Sequence, residues 1–180
     1  MGKLVANYFI SLDGVVEAPD KWHFPYFNDE MGAAVGAGMQ ENTAFMMGRV
    51  LYEEWSAYWT QASDDDPTAA YFNNVPKYVV SSTLTDPTWS NTTVVPGDPA
   101  RIREIVEKND GNIGIAGSAT LVRWLLAMDL LDELHLMIHP IAVGRGQRLF
   151  EDTPTHALRL VSTETFATGV LNTVYVPAKS

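Results

Sequence analysis

Apolar positions along this chain follow two periods. Alternation at every second residue marks a strand, and recurrence at every third or fourth marks a helix. Leu4 to Leu12 predicts a strand that Asp13-Gly14 ends in a turn. A loop with Pro19, Trp22, His23 and Pro25 follows, then a helix from about Tyr26 to Met39. Gly32, Gly36 and Gly38 weaken that helix intrinsically, so packing must hold it. Thr43 to Met47 is a short apolar strand, and Gly48-Arg49 opens a helix with Leu51, Trp55 and Tyr58 on one side.

Asp64-Asp65-Asp66-Pro67 reads as a solvated loop and helix cap, since acids favour the positive helix start and proline suits its first position. Lys77 to Val80 and Thr93 to Pro96 are short strands. Asp98-Pro99 caps a helix through Lys108, with Ile102, Ile105 and Val106 facing inward. Gly111 to Leu126 changes period midway, from strand before Gly117 to helix after it. The end of the chain is all strand: Glu133 to Ile141, Leu158 to Phe166, a turn at Ala167-Thr168-Gly169, then Val170 to Val176. Strands alternating with helices imply a mostly parallel sheet covered on both faces. The expected fold is a single domain over residues 1–180, a three-layer α/β/α sandwich with a mixed, mostly parallel sheet and a C-terminal antiparallel hairpin.

Composition narrows the partners. The 180 residues are 46% hydrophobic, which suits one globular core, and no apolar run is long enough for a membrane span. The opening Met1 to Asn7 lacks the apolar run and cleavage site of a secretory signal, and there is no cysteine, which fits a cytoplasmic protein and removes thiolate chemistry. Twelve basic against 22 acidic side chains give a net charge of −10 without a basic cluster, so nucleic acid is not expected. An acidic chain that binds a phosphorylated ligand must supply positive potential locally, from helix N-termini and a few arginines.

Ligands of open α/β sheets lie beyond the carboxyl ends of the strands. Three such ends carry suggestive residues: Gly48-Arg49, Ser81-Ser82-Thr83, and Gly117-Ser118-Ala119-Thr120. The first and last lead straight into helices and so offer unpaired N–H groups to an anion. Arg49 adds a planar cation suited to phosphate. Taken singly, each glycine is also an ordinary turn residue and Arg49 an ordinary surface ion-pair partner; their coincidence at one sheet edge favours a site.

In order and spacing these segments resemble the dihydrofolate reductase-like superfamily, and within it the reductase domain of riboflavin biosynthesis. The resemblance rests on Ser11-Leu12-Asp13-Gly14, the run Thr43 to Glu53, Val79 to Leu84, Ile115 to Leu121, Asp132 to Leu136, His139-Pro140-Ile141, and Gly144 to Phe150. It implies a reductase that takes hydride from NADPH. By position, Gly48, Arg49 and Val50 meet the cofactor phosphates, Ser81, Ser82 and Thr83 lie near the adenosine end, and Ala116, Gly117, Ser118, Ala119 and Thr120 cradle the pyrophosphate. Ala6 and the Asp13-Gly14 loop border the nicotinamide. The resemblance also suggests a cis bond before Gly117. Two departures stand out: Ala116 replaces the first of the superfamily's paired glycines, and Ile115 stands where riboflavin-pathway reductases place a carboxylate. The substrate therefore does not follow beyond a small pterin- or pyrimidine-like heterocycle.

Reduction of a C=N bond also needs a proton, and the resemblance points to Asp29 or Glu30 on the first helix. Trp22, His23 and Phe27 are candidate substrate contacts, and an apolar pocket of Trp22, Phe24 and Phe27 would raise a carboxyl pKa. The alternative is that both acids sit in an exposed first turn, where negative charge is favourable; Asp13 is likewise read as a turn residue rather than an acid catalyst. His135 and His139 alternate as strand residues, which sets them roughly 13 Å apart, too far for one metal ion. Apolar edge strands near the C-terminus suggest a homodimer. The rival readings are a non-catalytic nucleotide-binding protein of the same fold and, against the terminal hairpin, a flavodoxin-like nucleotide binder.

Overall fold

The alternating segments form strands where expected in a computed structural model that describes residues 2–63 and 65–178. They are β1 (Leu4–Ser11), β2 (Asn42–Gly48), β3 (Lys77–Val80), β4 (Thr92–Val95), β5 (Asn112–Ala116), β6 (Glu133–His139), β7 (Leu158–Thr165) and β8 (Leu171–Pro177). The helices are α1 (Asp29–Glu41), α2 (Arg49–Trp59), α3 (Pro67–Asn74), α4 (Pro99–Lys108) and α5 (Ala119–Ala127). All eight strands share one sheet in the order β4-β3-β2-β5-β1-β6-β8-β7. The first six are mutually parallel; β8 is antiparallel to β6 and to β7.

Alternation sorts side chains between the two faces. On β1, Leu4, Ala6, Tyr8 and Ile10 pack with Ile102 and Ile105 of α4 and Val122 and Leu125 of α5. On β2, Ala44 and Met46 join that face, whereas Phe45 and Met47 point to the other, against Tyr52 of α2 and Phe72 of α3. Met31 of α1 fills a third cluster with Phe166 and Val170, next to Phe9 and Met137. Such burial is the main stabilising contribution, about 1.5–3 kcal/mol for each large side chain. Lys77 puts an ammonium inside: only 1% exposed, it donates from Nζ to the carbonyls of Phe72 (2.7 Å) and Val75 (2.8 Å) and lies over the Trp89 ring. It thereby serves the carbonyl end of α3.

Helix starts follow the side-chain caps. α1 begins at Asp29 rather than Tyr26, because Asn28 Oδ1 accepts from Met31 N at 3.0 Å while Phe24–Tyr26 closes a separate 3-10 turn. Asp66 accepts from Thr68 N and Ala69 N to start α3, and Asp98 from Ala100 N to start α4; Asp64 of the acidic loop lies outside the described residues. β6 stops at His139, before Pro140, which has no N–H to donate to a ladder. The bond before Gly117 is trans, contrary to the expectation; the chain turns instead through two successive left-handed residues, Gly117 at φ +62 and Ser118 at φ +51.

Candidate active site

The turn from β2 into α2 and the turn from β5 into α5 touch each other. Gly48 N donates to Ser118 Oγ at 3.0 Å. Gly117 has its carbonyl held by the Tyr8 hydroxyl, whose proton burial makes harder to lose. With Ser118 Oγ engaged across the gap, no side chain caps α5, and none caps α2 behind Gly48. The other three helices are all capped by side-chain oxygens. The two bare helix starts are thus neighbours, and their first-turn N–H groups with the aligned peptide dipoles favour an anion there. Arg49 heads α2 with its guanidinium on Glu53 (2.8 Å), an exposed pair four residues apart worth about 0.3–0.5 kcal/mol, which a phosphate can replace. Val50 beside it is exposed. The residues present therefore fit the phosphates of a dinucleotide.

A second feature braces the end of β1. Asp13 accepts from Ser11 Oγ (2.6 Å), Gly144 N (2.7 Å) and Val143 N (3.0 Å), and Arg148 Nε donates to its carbonyl. The Ser11 hydroxyl, then the Gly144 N–H, lower its carboxyl pKa from 3.8 to about 2. Asp13 is thus a loop-tying anion, ionised at neutral pH. Gly14 follows at φ +86, with no atom near the place of a Cβ.

Other sequence candidates are placed less favourably. Ser81 uses its Oγ on Thr83 N and Leu84 N, which leaves Ser82 and Thr83 exposed at the end of β3. Ala6, expected beside the nicotinamide, has no accessible surface, because its position on β1 points it into the α4–α5 core. Asp29 and Glu30 are both exposed rather than enclosed by rings; Glu30 accepts from Asn28 Nδ2 and Ala167 N, tying α1 to the terminal hairpin. Trp22 and His23 are buried under 10% exposure, whereas Phe27 and Phe24 are at least half exposed. A depression of about 360 Å³ is lined by Thr120 with Arg123, Glu151 and Asp152, whose acids suit a phosphate poorly.

The spacing of His139 from His135 gives no sign of its surroundings in the fold. Its partner is set by strand register: His139 lies opposite Ser11 on β1 and packs edge-on to Trp22, Tyr26, Phe9 and His23. His135 instead meets Glu133 toward the other end of β6. Nor does anything local to Tyr8 announce a hydroxyl aimed at a carbonyl 109 residues away.

The profile of the RibD C-terminal domain matches residues 2–172. The chain belongs to the RibD C-terminal domain family. It is 27% identical over 181 residues to the uncharacterized protein YyaP of Bacillus subtilis, covering 96% of this chain and 94% of that protein. A putative riboflavin biosynthesis protein from Shewanella sp. PV-4 shares the fold, with a TM-score of 0.79 at 19% identity over 98% of this chain and 99% of that one. Dihydrofolate reductase from Enterococcus faecalis, complexed with NADP(H) and RAB-propyl, superposes at a TM-score of 0.68 and 16% identity over 99% and 98% of the two chains. The RibD C-terminal domain therefore has here a dihydrofolate reductase-like fold, and among its described residues no helix is long and apolar enough to cross a membrane.

Proposed function

We propose that this chain is an NADPH-dependent reductase of a small flat heterocycle, pterin- or pyrimidine-like. The observation that carries this reading is the contact of Gly48 N with Ser118 Oγ, which sets two uncapped helix starts side by side. Membership of the RibD C-terminal domain family, and a fold shared with a reductase complexed with NADP(H), support a reductase-type activity. Bound NADPH supplies the hydride. The amides of Gly117, Ser118, Ala119 and Thr120 and of the α2 start hold its phosphates, and Arg49 leaves Glu53 to favour NADPH over NADH. Ser82 and Thr83 meet the adenosine end, and the braced Asp13-Gly14 loop gives the nicotinamide a rigid border. Phe24 and Phe27 offer exposed rings to a flat substrate.

The exposure of Asp29 and Glu30 favours a second reading, a nucleotide-binding protein without turnover. Tryptophan fluorescence titrated with NADPH and NADH tests the first point: NADPH quenches more strongly, and Arg49→Ala removes that preference. No saturable binding of either nucleotide overturns both readings. Oxidation of NADPH with a panel of pterins and pyrimidines, read at the nicotinamide absorbance band, separates them. A homodimer completes the proposal: β7 is a sheet edge with Leu160 and Val161 exposed, and pairing with a second copy would cover it; light scattering reads the mass.

A further inference from the structure

We propose that His23 and His139 form a proton-operated latch that holds the segment Glu17–Phe27 against the carboxyl ends of β1 and β6. The segment carries two 3-10 turns, Pro19–Lys21 and Phe24–Tyr26, and reaches the sheet mainly through rings. His23 stacks on Phe9 of β1 with centroids 4.5 Å apart and planes 11° apart. His139 of β6 stands edge-on to His23 at 6.1 Å and to Trp22 at 5.2 Å. His23 is 7% exposed and His139 fully buried. His139 Nδ1 faces the Met137 carbonyl at 2.8 Å, so that nitrogen carries the hydrogen of the neutral ring. His139 Nε2 and His23 Nδ1 are both buried without a partner.

That arrangement accepts neutral imidazoles and penalises charged ones. A proton added to either ring sits among Phe9, Trp22, Tyr26 and Phe24 at a nitrogen that has no hydrogen bond in the closed form, and a second proton meets the first across the pair. Burial depresses both imidazoles below 6.5, and in His23 the charge of His139 adds to it. The opposing influences are smaller: Asp20 of the same segment acts on His23, and the Met137 and Ile10 carbonyls favour the charged form of His139. Carboxylates on the surrounding elements are committed elsewhere: Asp13 to Gly144 N, Glu17 to Gln147 N, Glu30 of α1 to Ala167 N, and Glu133 of β6 to His135. Lifting the segment into water returns both rings to an ordinary pKa, so acid favours the open form.

Hydrogen exchange of the Trp22, His23 and Tyr26 amides, which donate within the segment to Pro19 and His23 carbonyls, reads the opening without any nucleotide. Its result is therefore independent of the reductase reading. Between about pH 7.5 and 5, and after correction for intrinsic exchange, the opening constant rises as pH falls through 6.5, steepening toward a limit of about a hundredfold per pH unit, because up to two protons are taken up. His23→Phe and His139→Phe each keep an aromatic ring and each lower that limit to about tenfold per unit. The Ile113 amide in β5 serves as the reference that does not follow. An opening constant flat with pH in the natural chain overturns the latch. So does an undiminished slope in His23→Phe, the outer residue, whose substitution tests the point even where His139→Phe fails to fold.

Discussion

Gly48 and Ser118, 70 residues apart, are joined by a bond from backbone N–H to hydroxyl at 3.0 Å. Ser118 thereby gives up the usual task of a serine at a helix start, which is to cap its own helix. It also adopts φ +51, ψ +47, a conformation that costs a residue other than glycine about 1–2 kcal/mol. Its hydroxyl holds two helix starts together while their amides stay open.

Replacing Ser118 separates these effects. Ser118→Ala loses the bond, worth about 1 kcal/mol, and keeps the backbone cost. Ser118→Gly loses the same bond but relieves the backbone, so it unfolds at higher denaturant than Ser118→Ala. Both weaken nucleotide binding. Urea unfolding decides the order, and an alanine variant more stable than the glycine one contradicts the strained turn.

Gly117 and Gly14 both have positive φ, +62 and +86, yet their surroundings differ. A Cβ on Gly117 meets the Leu51 methyls at 3.2 Å; on Gly14 it meets nothing within 4 Å. Gly14→Ala is expected to cost about 1 kcal/mol, the backbone penalty alone. Gly117→Ala costs more, about 2–3 kcal/mol, because Leu51 must also move. Equal losses in thermal unfolding would show that Leu51 yields freely.

Lys77 makes stability rise in alkali. Burial lowers its pKa from 10.5 to about 8, so below pH 8 the folded state carries the whole cost of a buried ammonium. Between pH 8 and 10.5 the unfolded chain holds the extra proton, and stability rises with pH by up to about 3 kcal/mol from this residue. The neutral amine still has two N–H groups for the carbonyls of Phe72 and Val75. Lys77→Met should lack this rise; parallel denaturation curves for the two proteins across that range would refute the depressed lysine.

Asp13 acts in the opposite direction. Its pKa falls from 3.8 to about 2 in the folded state, so its stabilisation is complete above 3.8 and disappears as pH drops toward 2. The advantage of the natural chain over Asp13→Asn, measured by urea unfolding, should shrink across that window. A constant difference would mean that shape, and not ionisation, ties the loop.

Much of this was legible in advance. The strands alternate strongly enough to be placed within a residue or two, and Asp66-Pro67 and Asp98-Pro99 announce their own caps. α1 starts three residues later than the apolar period implies because Phe24-Pro25-Tyr26 forms its own short turn ahead of the Asn28 cap. Asp29 and Glu30 drew a catalytic role from resemblance, while the fold turns both to solvent and spends Glu30 on Ala167.

By itself the amino-acid order determined the elements, their two-faced burial and the small residues at the strand ends, because period, caps and turn residues act over a few positions. Only the tertiary structure decided that Gly48 reaches Ser118, that Tyr8 holds Gly117, and that His139 comes opposite Ser11 beneath His23. These depend on strand order and register across the sheet, which sum contributions from the whole core and leave no mark in any short stretch of chain.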